Sequence, residues 1–209
     1  MSRITESRPA MSTTPESIPK VTAADHVKGP GQGNWTYEDY AAIPDDGKRY
    51  EVINGVLFLK PSPEVWHQEA LGALFAYLWD HVKRVKLGRT YVSPLDVELA
   101  PKTIVQPDIL LILSEHMDKG PDSHIVGVPD LVIEVLSAGT TGYDYREKWD
   151  AYAYAGVPEY WIVDPTRRTI ELLVLENKVY GSSGIFQGKQ TLPSKIVLDF
   201  PVHVEQFFT

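Results

Sequence analysis

The chain has 209 residues, 43% of them hydrophobic, and a formal net charge of −8, which suits one domain, or one domain plus a tail, with a full core. The acidic balance argues against a protein that grips nucleic acid through backbone charge alone. It argues less against a metal-dependent phosphodiesterase, whose clustered carboxylates are partly offset by the ion. The lack of cysteine excludes disulfides and thiolate metal sites and agrees with a cytoplasmic protein.

Residues 1–33 read as a disordered tail, rich in Ser, Thr, Pro and Gly and without a period. Arg3 is followed by no apolar stretch, so no secretory signal is expected. Met11 is an alternative start. The domain is expected over 34–209. "WTYEDYAAIP" predicts a short helix capped by Thr36, with Glu38 and Asp39 in its first turn. "RYEVINGVLFLK" predicts a hairpin about Asn54-Gly55. Its register sets Ile53 opposite Val56 and Glu51 opposite Phe58, and the alternation places all four on one face.

"PSPEVWHQEALGALFAYLWDHVKRVK" predicts a long helix with Ser62 as N-cap and Pro63 at its first position. His67, Leu71, Leu74, Leu78 and Val82 recur at helical spacing and form its inner stripe. "TYVSPLDVELA", "IVQPDILLIL" and, after a polar loop from Ser114 to Gly127, "PDLVIEVLS" predict strands. A helix is expected from Asp144 to Ala155, closed by Gly156. "EYWIVDP" and "TIELLVLEN" are further strands, joined by a turn at residues 165–168. The order hairpin, helix, strands, helix, strands implies an α/β protein: a mixed central β-sheet flanked by helices, with an N-terminal β-hairpin. No run approaches the roughly 20 apolar residues needed to cross a bilayer, so no membrane association is expected.

The chemistry sits in acids within apolar strands. Asp108 lies in "VQPDILLIL" and Glu134 in "LVIEVL". A buried carboxylate without a partner costs several kcal/mol. Each could sit solvated at a strand end or pair with an arginine; two on successive strands that can pair point instead to a shared site for a hard divalent cation. Asp144 and Lys148 are either a surface i,i+4 ion pair or the end of a helix side that Ala151 and Ala155 allow close to the sheet. Tyr145, Trp149 and Tyr152 read as a core stripe. His67 reads as a packed core histidine, and Glu51 as a rim acid with Arg49 or Lys48 nearby.

Taken together, "RYEVINGVLFLKPSP…H", "VQPDILLI", "PDLVIEVLSAGT…D…K" and "YAGVPEYWIVDP" resemble the Uma-two endonuclease family of the PD-(D/E)XK superfamily, whose fold is restriction-endonuclease-like. The resemblance covers roughly residues 35–208. It implies that Asp108, after Pro107, is the metal-binding aspartate and that Glu134 is the second metal ligand. The superfamily pattern wants a lysine two residues on, but this chain has Leu136; the lysine that matches is Lys148, displaced to the following helix. Glu51 and His67 match further positions near the site, and Ser137 and Asp144 match flanking ones.

The implied activity is Mg2+- or Mn2+-dependent hydrolysis of DNA phosphodiesters. The alternative is a nuclease fold kept as a nucleic-acid- or protein-binding module; a metal hydrolase acting on another phosphoester is a third reading. Cutting both strands together makes a homodimer the expected state, with Tyr160 and Trp161 as candidate interface residues. Lys83, Arg84, Lys86 and Arg89 could touch a phosphate backbone, or simply answer the helix dipole.

Overall fold

The structure, a computed structural model, describes residues 20–117 and 123–208. Most of the expected tail, residues 1–19, lies outside them. The described remainder is tied to the domain: β1 (Thr22–Ala23) pairs with a later strand, and the Gly33 N–H donates to the Gly55 carbonyl. α1 (Tyr37–Ala41) begins at Thr36, which exchanges capping bonds with Asp39.

β2 (Arg49–Ile53) and β3 (Val56–Lys60) form the expected hairpin, with Glu51 opposite Phe58 and Ile53 opposite Val56. Asn54 and Gly55 both take positive φ, as a two-residue turn of this hand requires. α2 (Val65–Val85) starts later than predicted, with Glu64 at its N-cap position and no side-chain cap. Pro63 biases Ser62 away from helical dihedrals, and the helix begins only after Glu64, which is itself extended. The predicted inner stripe is buried as a whole, joined by Ala70 and His81.

The two long strands predicted next are each broken. "TYVSPLDVELA" becomes β4 (Gly88–Val92) and β5 (Val97–Ala100). "IVQPDILLIL" becomes β6 (Thr103–Val105) and β7 (Ile109–Leu113). Pro94 and Pro107 sit in the two breaks, where a residue without an N–H cannot continue the ladder. The arms therefore leave one sheet and enter another. The expected polar loop contains a 3-10 turn at Ser114–His116 and β8 (Ile125–Val126).

β9 (Leu131–Val135) leads into α3 (Thr141–Tyr143), a π turn over Asp144–Lys148 and α4 (Trp149–Ala155), closed by Gly156 at φ 97°. β10 (Glu159–Asp164), β11 (Thr169–Glu176) and β12 (Val179–Gln187) follow. One sheet has the order β1-β3-β2-β6-β5-β8, and the other β12-β11-β10-β9-β7-β4. The mixed sheet of the sequence reading is the second, with β9 and β10 parallel; the hairpin belongs to the first.

α2 packs on one face of the second sheet through Leu71, Leu74 and Leu78 against Ile109, Ile133 and Trp161. The opposite face, with Leu110, Val132 and Tyr160, meets α4 and the first sheet at Ile53 and Val97. Glu134 lies two residues on from Val132, on the same face of β9, so it points into this second layer. No described helix is long and apolar enough to cross a membrane.

Gly55 has no room for a side chain, since a Cβ there would lie 2.4 Å from the Gly33 carbonyl oxygen, and its φ is 75°. Gly55→Ala is expected to cost about 1–3 kcal/mol. That lowers the melting temperature by roughly 2–4 °C per kcal/mol for a domain of this size. Differential scanning calorimetry checks it.

Candidate active site

The hydrogen-bond ladder between β7 and β9 pairs Ile109 with Ile133. One step further along the same antiparallel register, at the break marked by Pro107, Asp108 comes opposite Glu134. Both carboxylates are buried, and both line one cavity of about 10 Å³, close to the space one water needs. Asp144, His67, Ser137, Lys60 and Arg49 line it too. The two strand acids thus converge, as the pairing argument predicted.

Asp108 is tightly held. Its Oδ2 accepts the Val135 N–H at 2.8 Å and lies 3.0 Å from His67 Nε2. Burial alone would raise its pKa, but the His67 hydrogen bond and charge outweigh it and hold the carboxyl at about 2. The predicted core histidine is therefore a site residue, buried by contact with the acid. Its Nδ1 is shielded and has no hydrogen-bond partner.

Glu134 Oε1 accepts from Lys148 Nζ at 2.6 Å and from the Tyr152 hydroxyl at 2.6 Å. Burial raises its pKa, and the charges of Asp108 and Glu51 add to that, while Lys148 opposes. Asp144 is pushed up to about 8, chiefly by burial and then by the Glu134 charge. Glu51 is not a rim acid: it is fully buried. Its Oε1 takes the Gln106 N–H at 2.7 Å, Lys148 Nζ at 3.1 Å and Lys60 Nζ at 3.3 Å. Against burial, those two ammonium charges hold its pKa down.

Lys148 is the hub. Its side chain has no exposed surface, and its ammonium bridges Glu134 on the second sheet to Glu51 on the first. Burial alone would lower its pKa; the surrounding carboxylates reverse this and raise it. The surface-pair reading of Asp144 and Lys148 is thus corrected, since both are buried. The aromatic stripe is corrected as well. Tyr145 is 39% exposed and donates to Glu171, while Tyr152 is fully buried against Glu134. The π turn adds a residue to the helical turn, which rotates the following side chains relative to those before it. Ser137 shapes the loop: its carbonyl accepts the Thr141 hydroxyl at 2.8 Å.

Sequence reasoning missed Lys60, Gln106 and Tyr152 as site residues. All three reach the acids across strand pairing or helix packing that no local pattern announces. The four basic residues at the end of α2 and beyond it do not line the acid cavity; Lys83 on α2, Lys86 at its C-cap and Arg89 on β4 border a separate groove of about 530 Å³ beside Trp79, and Arg84 pairs with Asp80. Tyr160 and Trp161 are wholly buried, which removes them as interface residues.

Among the described residues no three His, Asp or Glu side chains form a ready-made metal cage. The donor set nevertheless fits a hard cation with few protein ligands. The bonds above occupy only one oxygen of Asp108 and one of Glu134, and leave Oδ1 and Oε2 for further ligation. Mg2+ accepts one or two carboxylates and keeps its waters.

An antiparallel strand pair that breaks to bury two acids, with a lysine brought in from the following helix, defines an α/β protein of the restriction-endonuclease-like class. The sequence matches the family Uma2, described as "Putative restriction endonuclease", over residues 37–205, and the chain belongs to it. A crystal structure described as a putative nuclease belonging to DUF820, from Anabaena variabilis ATCC 29413, superposes with a TM-score of 0.70 at 17% identity. The match covers 83% of this chain and 97% of that one, and at this identity it speaks for the fold alone. No curated protein matches the chain.

Removing the hub charge leaves buried Glu134 without its ion-pair partner and Glu51 with Lys60 alone. Lys148→Met is expected to cost about 3–5 kcal/mol, as breaking a buried ion pair from one side does. Glu134→Gln added to Lys148→Met is expected to recover part of that loss, because the carboxylate left without a cation is gone. Urea unfolding of the two variants checks both signs.

Proposed function

We propose that the protein is a Mg2+- or Mn2+-dependent nuclease that hydrolyses DNA phosphodiester bonds. The observation that carries this reading is the convergence of Asp108 and Glu134 on one narrow cavity, each with a carboxylate oxygen left over. The family membership supports it.

Asp108 and Glu134 would hold the ion, which when bound supplies Lewis acidity to the phosphate and acidifies a bound water. The remaining roles belong to the chain itself. His67 and the Val135 N–H fix the Asp108 carboxylate in one orientation and keep it ionised. Lys148 and Tyr152 fix Glu134. Lys148 is the displaced lysine of the superfamily pattern, and here it acts as a positioning residue. Its ammonium is enclosed and stays protonated, so it orders Glu134 and Glu51 without taking a proton. Asp144, on the same cavity with its pKa near 8, is a reserve of negative charge that a cation would draw out. A homodimer would supply the two sites needed to cut both strands together.

The retained cluster of paired acids disfavours a pure binding module, which has no need to bury this many ionised groups. With Mn2+ or Mg2+ the purified protein is expected to cleave plasmid or linear DNA. Asp108→Asn and Glu134→Gln are each expected to reduce the rate by at least about 10²-fold, the scale on which groups stabilising transition-state charge act. Calorimetric titration with Mn2+ should show binding in the wild type and none in Asp108→Asn. Intact DNA under all these conditions, together with no Mn2+ binding, would sink the proposal.

A further inference from the structure

Arg49 and Lys60 stand directly opposite each other across the β2–β3 hairpin, and both line the acid cavity. Like charges so placed repel and destabilise a strand pair. Lys60 is answered by Glu51 Oε1 at 3.3 Å. Arg49 is not. Its Nε and Nη2 are shielded from solvent and bond to no acceptor, and it makes none of the ion pairs found among the described residues. Glu51, two residues along the same strand, spends its Oε1 on Lys60, Lys148 and the Gln106 N–H.

A guanidinium with desolvated and unmade hydrogen bonds is costly to the free protein. The cost is recovered when an anion arrives, and the planar fork of arginine fits the oxygens of a phosphate. The cavity is narrow, about the space of one water where it is enclosed, and opens to solvent, so a phosphate can present one oxygen to Arg49 from its mouth. Pro61 and Pro63 border the same cavity and offer no N–H.

Resting on the nuclease reading, we propose that Arg49, with Lys60 beside it, is the clamp for the scissile phosphate. Arg49 takes a non-bridging oxygen of the phosphodiester in the same cavity as Asp108 and Glu134. The hairpin thereby carries a substrate-binding residue and not only the first sheet's edge.

The test uses the full chain with Arg49→Gln and Arg49→Lys. Inorganic phosphate is titrated in a thermal-shift assay, and a fluorescent duplex oligonucleotide is titrated with Ca2+ in place of Mg2+. Phosphate is expected to raise the wild-type melting temperature and leave Arg49→Gln unmoved. Duplex affinity should fall about tenfold or more in Arg49→Gln, the scale of one lost charge-assisted pair. Arg49→Lys should fall between, because it keeps the charge and loses the fork. Without phosphate, Arg49→Gln should melt no lower than wild type, since the arginine has no protein partner to lose. Unchanged phosphate and duplex binding in Arg49→Gln, or no phosphate binding by the wild type, overturns the clamp. So does a marked drop in phosphate-free stability, which would make Arg49 a structural residue. Metal-dependent cleavage alongside unchanged Arg49→Gln binding overturns the clamp alone. Arg49-dependent phosphate binding without any cleavage overturns the nuclease reading and leaves the phosphate site.

Discussion

An ammonium group with no exposed surface must be ringed by negative charge, and in this protein the ammonium and its two carboxylates come from three separate parts of the fold. Lys148 comes from the π turn before α4, Glu134 from the second sheet and Glu51 from the first. Each partner is itself buried, so none can be withdrawn into water when another is lost. Desolvating these groups is expensive, and their mutual attraction recovers the cost only if the geometry is kept. The two sheets and the helix are therefore held in register by the same contacts that compose the site. The second layer of the core, where Ile53, Leu110, Val132 and Tyr152 meet, packs around that cluster.

The acids lie where they do because the β5–β6 hairpin and the β4–β7 pair are one bent ribbon. Two prolines, Pro94 and Pro107, interrupt the ladder on opposite arms and let the ribbon pass from one sheet to the other. Asp108 follows Pro107 directly, so it sits just before the resumed strand and faces the end of β9 where Glu134 sits. The bend also turns the Gln106 N–H away from a strand partner and towards Glu51 at 2.7 Å. A single interruption thus frees a backbone donor for one acid and presents another to the cavity.

Much of this was legible before the structure. The hairpin register follows from Asn54-Gly55, the buried stripe of α2 from its spacing, and the acid pair from carboxylates in apolar strands. That last signal is not sufficient by itself. Glu159 also lies in an apolar strand and is buried, yet it takes Trp161 Nε1 at 2.7 Å, Ser194 Oγ at 2.5 Å and the Lys195 N–H at 2.8 Å. It anchors the chain segment around Ser194. What separates Glu134 from Glu159 is the neighbouring strand, which sequence periodicity cannot display. The same limit hid Lys60 and Tyr152, whose spacing along the chain says nothing of what they reach. The π turn hid the true faces of its helix, because an extra residue in one turn leaves no mark in composition.

The departure from the superfamily pattern then has a physical consequence. The position two after Glu134 is Leu136, which packs in the layer with Tyr143 instead of facing the cavity. Lys148 supplies a positive charge to Glu134, but its Nζ is already shared between two carboxylates and it does not border the cavity. A lysine so enclosed can order the acids; it cannot also meet a phosphate. The cations that do border the cavity are Lys60 and Arg49 from the hairpin. In this chain the segment before α4 provides the charge that holds the acids, and on the proposal above the hairpin provides the charge that faces the ligand.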